Sequence, residues 1–381
     1  MKAIIAIDSY KGSLSTFESG RAVAEGIKAV YKNAETLICP LADGGEGTVL
    51  AVTSAMGGRL CKANVCGPLG DYIDAEYGVI DETHTAIIEM SAAAGITLIK
   101  AEERNPLQTT TYGVGELIAH AIKENGCRSF IIGIGGSATN DGGVGMLQAL
   151  GFSFLDESGN EISRGAKGLS TLVQIRCDGA LPELAECEFH VACDVTNPLC
   201  GERGCSAVYG PQKGATPETV REMDAWLADY AKLSACVTGC DAANTPGAGA
   251  AGGIGFAFVS YLHGKLQSGI ELVIRATGLE EKIKDADVVV TGEGRLDGQS
   301  CMGKAPIGVA RLAKKYGKPV IAFSGCVSED ASVCNEHGID AFFPILRTVC
   351  TLEEAMDKDT AYRNLKSTAE QVFRLVCRFT K

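Results

Sequence analysis

Short apolar runs that stop at a glycine-rich or acidic turn, followed by stretches with apolar residues at helical spacing, make up both ends of this chain. Residues 3–7 form an apolar run cut off at Asp8, and residues 16–31 carry the 3.6-residue period of an amphipathic helix. A second strand, loop and helix are predicted over residues 35–39 and 48–56. Near the other end, 287–291 reads as a strand, a long loop follows, and 307–316 reads as a helix with Lys314 and Lys315 in its last turn. Further strands are expected at 319–324 and 341–345, and residues 351–379 are mostly helical in pattern. Strands alternating with helices imply a parallel sheet covered on both faces.

The middle of the chain has a different texture. Residues 74–80 and 85–90 are short strand patterns separated by Asp81-Glu82-Thr83-His84, as in a hairpin, and 152–155 with 161–162 around Asp156-Glu157-Ser158-Gly159-Asn160 predict another. The expected fold class is therefore α/β with two domains. A Rossmann/flavodoxin-like parallel-sheet domain is built from residues 1–65 plus 263–381, and a second α/β domain, 66–262, is inserted into it.

Length and composition agree with that division. The 381 residues exceed what one hydrophobic core usually supports, and 46% hydrophobic with 22% charged residues is the balance of an ordinary folded protein. No apolar run approaches the roughly 20 residues of a membrane span, and the opening run is broken by Asp8, so a cytoplasmic protein is expected, with no membrane partner. A net charge of -12 is the wrong sign for nucleic acid binding through the overall field. An anionic ligand would then need local lysines, helix N-termini or a metal. The 16 cysteines show no Cys-x-x-Cys spacing and read as reduced thiols packed as small hydrophobes.

The chemistry is expected in loops where glycine clusters with acids and bases. Asp8-Ser9-Tyr10-Lys11-Gly12-Ser13 follows the first strand, at the carboxyl edge of the sheet where ligands of open α/β folds bind. Lys11 offers a point charge for phosphate or carboxylate, and Asp8 a metal ligand or proton acceptor; the plain alternative is Ser13 or Ser15 capping the helix. In Asp43-Gly44-Gly45-Glu46-Gly47, two carboxylates stand among glycines that are costly to order, which close approach to a ligand would explain. Gly135-Gly136-Ser137-Ala138-Thr139-Asn140-Asp141-Gly142-Gly143 leads from a strand into a helix, so its N–H groups and hydroxyls can surround an anion. Asp194 ends an apolar strand, and Lys213 sits in a Gly-Pro turn.

Two further motifs fail in context. Gly247-x-Gly249-x-x-Gly252 has no preceding strand, so it is no dinucleotide fingerprint; a phosphate-contacting helix start or a close packing site remains. The run from Gly298 to Lys304 lacks the hydroxyl that a P-loop needs after its lysine, since Ala305 stands there. What remains at that end is Glu293, Arg295, Asp297 and Lys304 after a strand and before a helix. Donors for phosphate oxygens, carboxylates for Mg2+ and one carboxylate for a hydroxyl proton are together the inventory of phosphoryl transfer, and they point to a Mg-ATP-dependent kinase.

Asp8 to Ser13, residues 41–48, Gly135 to Gly143, Gly210-Pro211-Gln212-Lys213-Gly214-Ala215 and Thr291 to Asp297 occur in the order in which they stand in the type I glycerate kinase family, which this chain resembles over essentially its whole length. Tyr10 stands where that family often has Phe, and Cys205-Ser206 replaces a smaller pair; neither removes a carboxylate or a lysine. The resemblance implies two α/β domains with the site in the cleft between them. It also implies ATP-dependent phosphorylation of D-glycerate, usually on the 2-hydroxyl to give 2-phosphoglycerate and ADP, in glyoxylate, glucarate or galactarate breakdown.

On that reading Asp194, Asp297 and Lys11 are the expected catalytic residues. Asp8, Ser13, Asp43, Glu46, Arg295 and Lys304 are expected to bind substrate. Gly135, Gly136, Ser137, Thr139, Asp141, Lys213 and Glu293 are expected at nucleotide or phosphate, and Asp43 and Asp194 at Mg2+. Within this set, Lys11, Arg295 or Lys304 anchors carboxylate and transferring phosphate, and Asp8, Asp43, Asp194 or Asp297 serves Mg2+ or the hydroxyl. A non-catalytic sugar-acid sensor and a kinase of another small hydroxy acid are the alternatives; monomer and homodimer both stay open.

Overall fold

The computed structural model describes residues 1–42, 44–45, 47–302 and 304–379. Its strands are β1 (Lys2–Ile5), β2 (Glu35–Ile38), β3 (Arg59–Cys66), β4 (Tyr72–Ile80), β5 (Thr85–Glu89), β6 (Ser129–Gly133), β7 (Ser153–Leu155), β8 (Gln174–Arg176), β9 (Glu188–Ala192), β10 (Lys265–Gln267), β11 (Val288–Leu296), β12 (Val320–Val327) and β13 (Ala341–Pro344). The chain divides into two units, Met1–Asp43 with Gly269–Lys381, and Gly44–Ser268. No helix among the described residues is long and apolar enough to cross a membrane.

The first unit is a five-stranded parallel sheet in the order β13-β12-β11-β1-β2. Its centre is apolar because β1 and β11 are buried: Ala3, Ile4 and Ile5 lie beside Val288, Val289 and Val290. From β1 the chain moves outward to β2, whereas from β11 it moves the opposite way to β12 and β13. The strand order reverses between β1 and β11, and in open α/β sheets the carboxyl ends at such a reversal form the ligand crevice.

Local chemistry fixes the helix that follows. Ser15 caps the helix Thr16–Val30, accepting from the Glu18 N–H while Glu18 accepts from the Ser15 N–H, a reciprocal capping box. Thr16 then donates its hydroxyl to the Ile7 carbonyl and accepts from the Leu41 N–H, tying together the segments that leave β1 and β2. The C-terminal helix Lys358–Phe379 crosses at Gly26, where a Cβ would lie 2.5 Å from the Lys366 carbonyl oxygen, so only glycine permits that approach.

The second unit holds a six-stranded sheet in the order β10-β9-β6-β5-β4-β3, parallel from β10 to β5 and antiparallel through β4 and β3. The hairpin expected over 74–90 is the β4–β5 pair. Its largely aliphatic core includes aromatic pairs, with Phe130 stacked on Phe189 at 4.8 Å and Tyr230 edge-on to Phe256 at 5.2 Å.

Three local expectations need correction. The segment after Thr291 is not a loop: β11 runs on to Leu296, paired with β12 through Glu293 to Ser324 and Arg295 to Cys326. Its glycines allow a close backbone approach, since a Cβ on Gly292 would lie 1.9 Å from the Phe323 carbonyl oxygen. The hairpin expected around 156–160 forms, with Leu155 bridging Glu161 and the Ile162 N–H donating to the Phe154 carbonyl at 2.8 Å, but its first strand, β7, also pairs with β8, a partner the expectation lacked. The helix Thr48–Ala55 and β3, expected with the chain ends, lie in the second unit because β3 pairs along its length with β4.

Candidate functional site

The reversal between β1 and β11 carries a cavity of about 630 Å³. The Asp8 N–H donates to the Gly292 carbonyl at 3.0 Å, so the loop after β1 is fastened to the extension of β11. Asp8, Lys11 and Ser13 enter the cavity wall from that loop, and Glu293, Arg295, Asp297 and Lys304 enter it from β11 and the segment beyond. Seven of the expected residues thus share one wall.

Their electrostatics form a charged cluster. Lys304 Nζ stands 3.9 Å from Glu293 and 3.8 Å from Asp297, while Arg295 Nε is 3.4 Å from Asp297. The buried Ser300 hydroxyl donates to Glu293 Oε1 at 2.5 Å, and its N–H donates to Asp297 Oδ1 at 3.1 Å, which orients both carboxylates from one residue. Asp8 is buried and accepts the Ser9 N–H at 2.6 Å. Ser13 Oγ is buried with no hydrogen-bond partner among the described residues, a polar atom left for a ligand or water to satisfy. Tyr10, in the same wall, is held neutral: burial first, and the Glu293 charge second, push its hydroxyl far above the usual range, and it donates to the Phe323 carbonyl at 2.9 Å.

A divalent ion fits this set in one way only. Among the described residues no group of three or more His, Cys, Asp or Glu side chains is placed to hold a metal. Mg2+ ordinarily takes one or two carboxylates and completes its shell with water and phosphate oxygens, and Asp8, Glu293 and Asp297 can supply that smaller share.

The second unit gathers other expected residues around a buried lysine. Lys213 is buried and donates to Ser137 Oγ at 2.8 Å and to the Thr139 carbonyl at 2.6 Å; burial lowers its pKa to about 8. Asp141 is buried too. Its carboxylate accepts the Thr111 N–H at 2.8 Å, the Thr111 hydroxyl at 2.9 Å and the Gly143 N–H at 3.1 Å, while burial raises its pKa against those bonds. Both side chains hold the 135–143 loop in shape. Gly135 and Gly136 belong to that loop, and Gly135 passes within contact of Gly45, where a Cβ would lie 3.2 Å from its Cα. Asp194 is exposed, two residues past the end of β9. Asp43 and Glu46 lie outside the described residues.

The glycine run at 247–255 is a packing site. A Cβ on Gly252 would lie 2.0 Å from the Thr139 carbonyl oxygen, one on Gly249 2.2 Å from that of Pro198, and one on Gly255 2.2 Å from that of Gly247. The sixteen cysteines are all free thiols. Cys334 is typical of the buried ones, since desolvation, with Cys301 3.5 Å away, pushes its pKa up to about 12.

With this geometry in view, comparison with known proteins is decisive. Residues 3–377 match the glycerate kinase family. The chain belongs to that family. It is 50% identical over 355 residues to the glycerate 2-kinase of Escherichia coli K12, covering 93% of each chain, and 48% identical over 376 residues to a glycerate kinase of Haemophilus influenzae, covering 99% of each. A crystal structure provisionally assigned as glycerate kinase 2 from Salmonella typhimurium LT2 superposes with a TM-score of 0.90 at 46% identity, over 100% of this chain and 99% of that one. As a family member this protein is an enzyme of the kinase class with a two-domain α/β fold.

Two buried residues carry contacts that no sequence motif marks. Ser300 was one serine in a false P-loop, and nothing in the spacing showed that it serves both carboxylates. Glu89 looked like the end of a strand; it is a buried acid that accepts the Val49 N–H at 2.7 Å, at the start of the helix Thr48–Ala55. The available signal was an acid ending the apolar run Ala86-Ile87-Ile88; in the sheet it stands level with Gly133 and Ala192 at the carboxyl edge.

Proposed function

We propose that this enzyme transfers the terminal phosphoryl group of ATP to the 2-hydroxyl of D-glycerate, giving 2-phosphoglycerate and ADP. The observation that carries the reading is the cavity at the strand-order reversal in which Lys11, Arg295 and Lys304 stand with Asp8, Glu293 and Asp297. A phosphoryl group passing between two oxygens needs positioning and charge neutralisation more than covalent help, and this set provides both.

In the proposed mechanism Lys11 and Lys304 hold phosphate oxygens as point charges, and Arg295, with its planar fork, takes the carboxylate of glycerate. Asp297, oriented by the Ser300 N–H, receives the proton of the attacking hydroxyl. Asp194 is the second carboxylate proposed for catalysis or for Mg2+. When bound with the nucleotide, Mg2+ would neutralise charge on the phosphates, with Asp8 or Glu293 contributing a ligand oxygen. The choice of the 2-hydroxyl, the setting in glyoxylate, glucarate or galactarate breakdown and a cytoplasmic location rest on likeness to the family.

Thermal-shift measurements test the reading. Mg-ATP and D-glycerate should each raise the melting temperature, because each binds the folded chain. Stabilisation by glycerate alone, with none from Mg-ATP at millimolar concentration, would instead indicate a sugar-acid sensor.

A further inference from the structure

The cavity of the first unit is larger and more apolar than a three-carbon acid requires. Beside its charged wall stands a second one, built by the segment that follows β13: Ile345 is buried, and Leu346, Leu352 and Met356 are exposed, at 40%, 79% and 37% of full accessibility. Large apolar side chains left open beside a charged cluster mark a ligand surface. The wall is preformed, since Thr351 and Glu354 close a capping box at the head of the short helix Leu352–Met356.

The two walls meet. Gly12, with φ +78°, lies directly under Met356, whose methyl carbon is 2.8 Å from where a Cβ on Gly12 would stand. An apolar surface therefore begins one residue from Lys11, at the edge of the charged cluster. A ligand that spans both walls carries charge at one end, within reach of Lys11, Arg295 and Lys304, and an apolar group at the other.

Resting on the proposed kinase activity, we infer that the apolar wall of Leu346, Leu352 and Met356 seats the purine base of the nucleotide donor, with its phosphates running toward Lys11 and Lys304. The base gains its affinity there from dispersion and desolvation against exposed side chains. The acceptor then sits at the carboxylate end of the cavity, near Asp297.

The test uses steady-state kinetics of the wild type and the Leu352→Ala/Met356→Ala double variant, with inorganic tripolyphosphate as a base-free competitor of ATP. Both side chains are partly or largely exposed, so the variant should fold. The expected result is a rise of about tenfold in KM for ATP, as loss of the apolar area that two side chains offer the base implies. KM for D-glycerate and the inhibition constant of tripolyphosphate should stay within about twofold, since neither ligand reaches the wall. An inhibition constant for tripolyphosphate that rises as much as the KM for ATP would overturn the inference, because the wall would then be shaping the cationic loop. So would a rise confined to KM for glycerate, or an effect that disappears as protein concentration increases, which would mark the wall as a contact between copies. Absence of any ATP-to-glycerate transfer by the wild type would overturn the kinase reading itself, and the inference with it.

Discussion

Lys304 Nζ lies 3.8 Å from Asp297 Oδ1, close enough for the ammonium to stabilise the carboxylate and too far for a tight ion pair. A lysine so placed can exchange this contact for a phosphate oxygen without breaking a strong bond. Asp297 keeps its orientation through Ser300 in either case.

Substituting Asp297→Asn keeps the shape and removes the proton acceptor. Turnover should fall roughly 100-fold or more, with melting temperature little changed, as measured by steady-state rates and a thermal melt. If Asp297→Asn and Asp194→Asn each kept turnover within about threefold of wild type, neither carboxylate would be the general base.

Lys213 gives stability a pH dependence of known sign. Below a pH of about 8 both folded and unfolded chains carry it charged, and the folded chain bears the full cost of burying that charge. Between about 8 and the ordinary 10.5 the folded chain has lost the proton while the unfolded chain keeps it, so this residue's contribution to stability rises with pH. The melting temperature of wild type minus that of Lys213→Met should therefore increase across that window and be flat below about pH 7, where neither state titrates. A difference that shrinks with rising pH would contradict the assignment.

How much of this was legible beforehand differs between the two halves of the argument. The apolar runs of β1 and β12 were readable because burial on both faces leaves a continuous hydrophobic signature, and the edge strands β2 and β13 were readable from the helical periods that flank them. The charged residues of the cavity were readable as a set because acids and bases among glycines are rare without a ligand. Partnership was not readable. Ser300 serves Glu293 from seven residues away in the chain, and whether Glu293 stands on a loop or a strand depends on β12, about thirty residues further on. The apolar wall at Leu346, Leu352 and Met356 carries no motif, since exposed leucines have meaning only once the cavity beside them is known.

Gly252 tests the packing interpretation of the glycine run. With φ +73° and the Thr139 carbonyl oxygen 2.0 Å from a would-be Cβ, Gly252→Ala meets both backbone strain and a clash with main chain. Its melting temperature should drop by about 5 °C or more, or the protein should fail to accumulate in soluble form. An unchanged melt with a raised KM for ATP would favour a phosphate-contacting role for the run instead.

The central claim is that phosphate moves from ATP to the 2-hydroxyl of D-glycerate. Proton-coupled phosphorus NMR of the product, after incubation with Mg-ATP and D-glycerate, reads both activity and position. A new phosphomonoester signal split into a doublet by the single C2 proton is the predicted result. A triplet from a methylene pair would place the phosphate on the 3-hydroxyl, and no new ester signal alongside undepleted ATP would contradict the kinase account altogether.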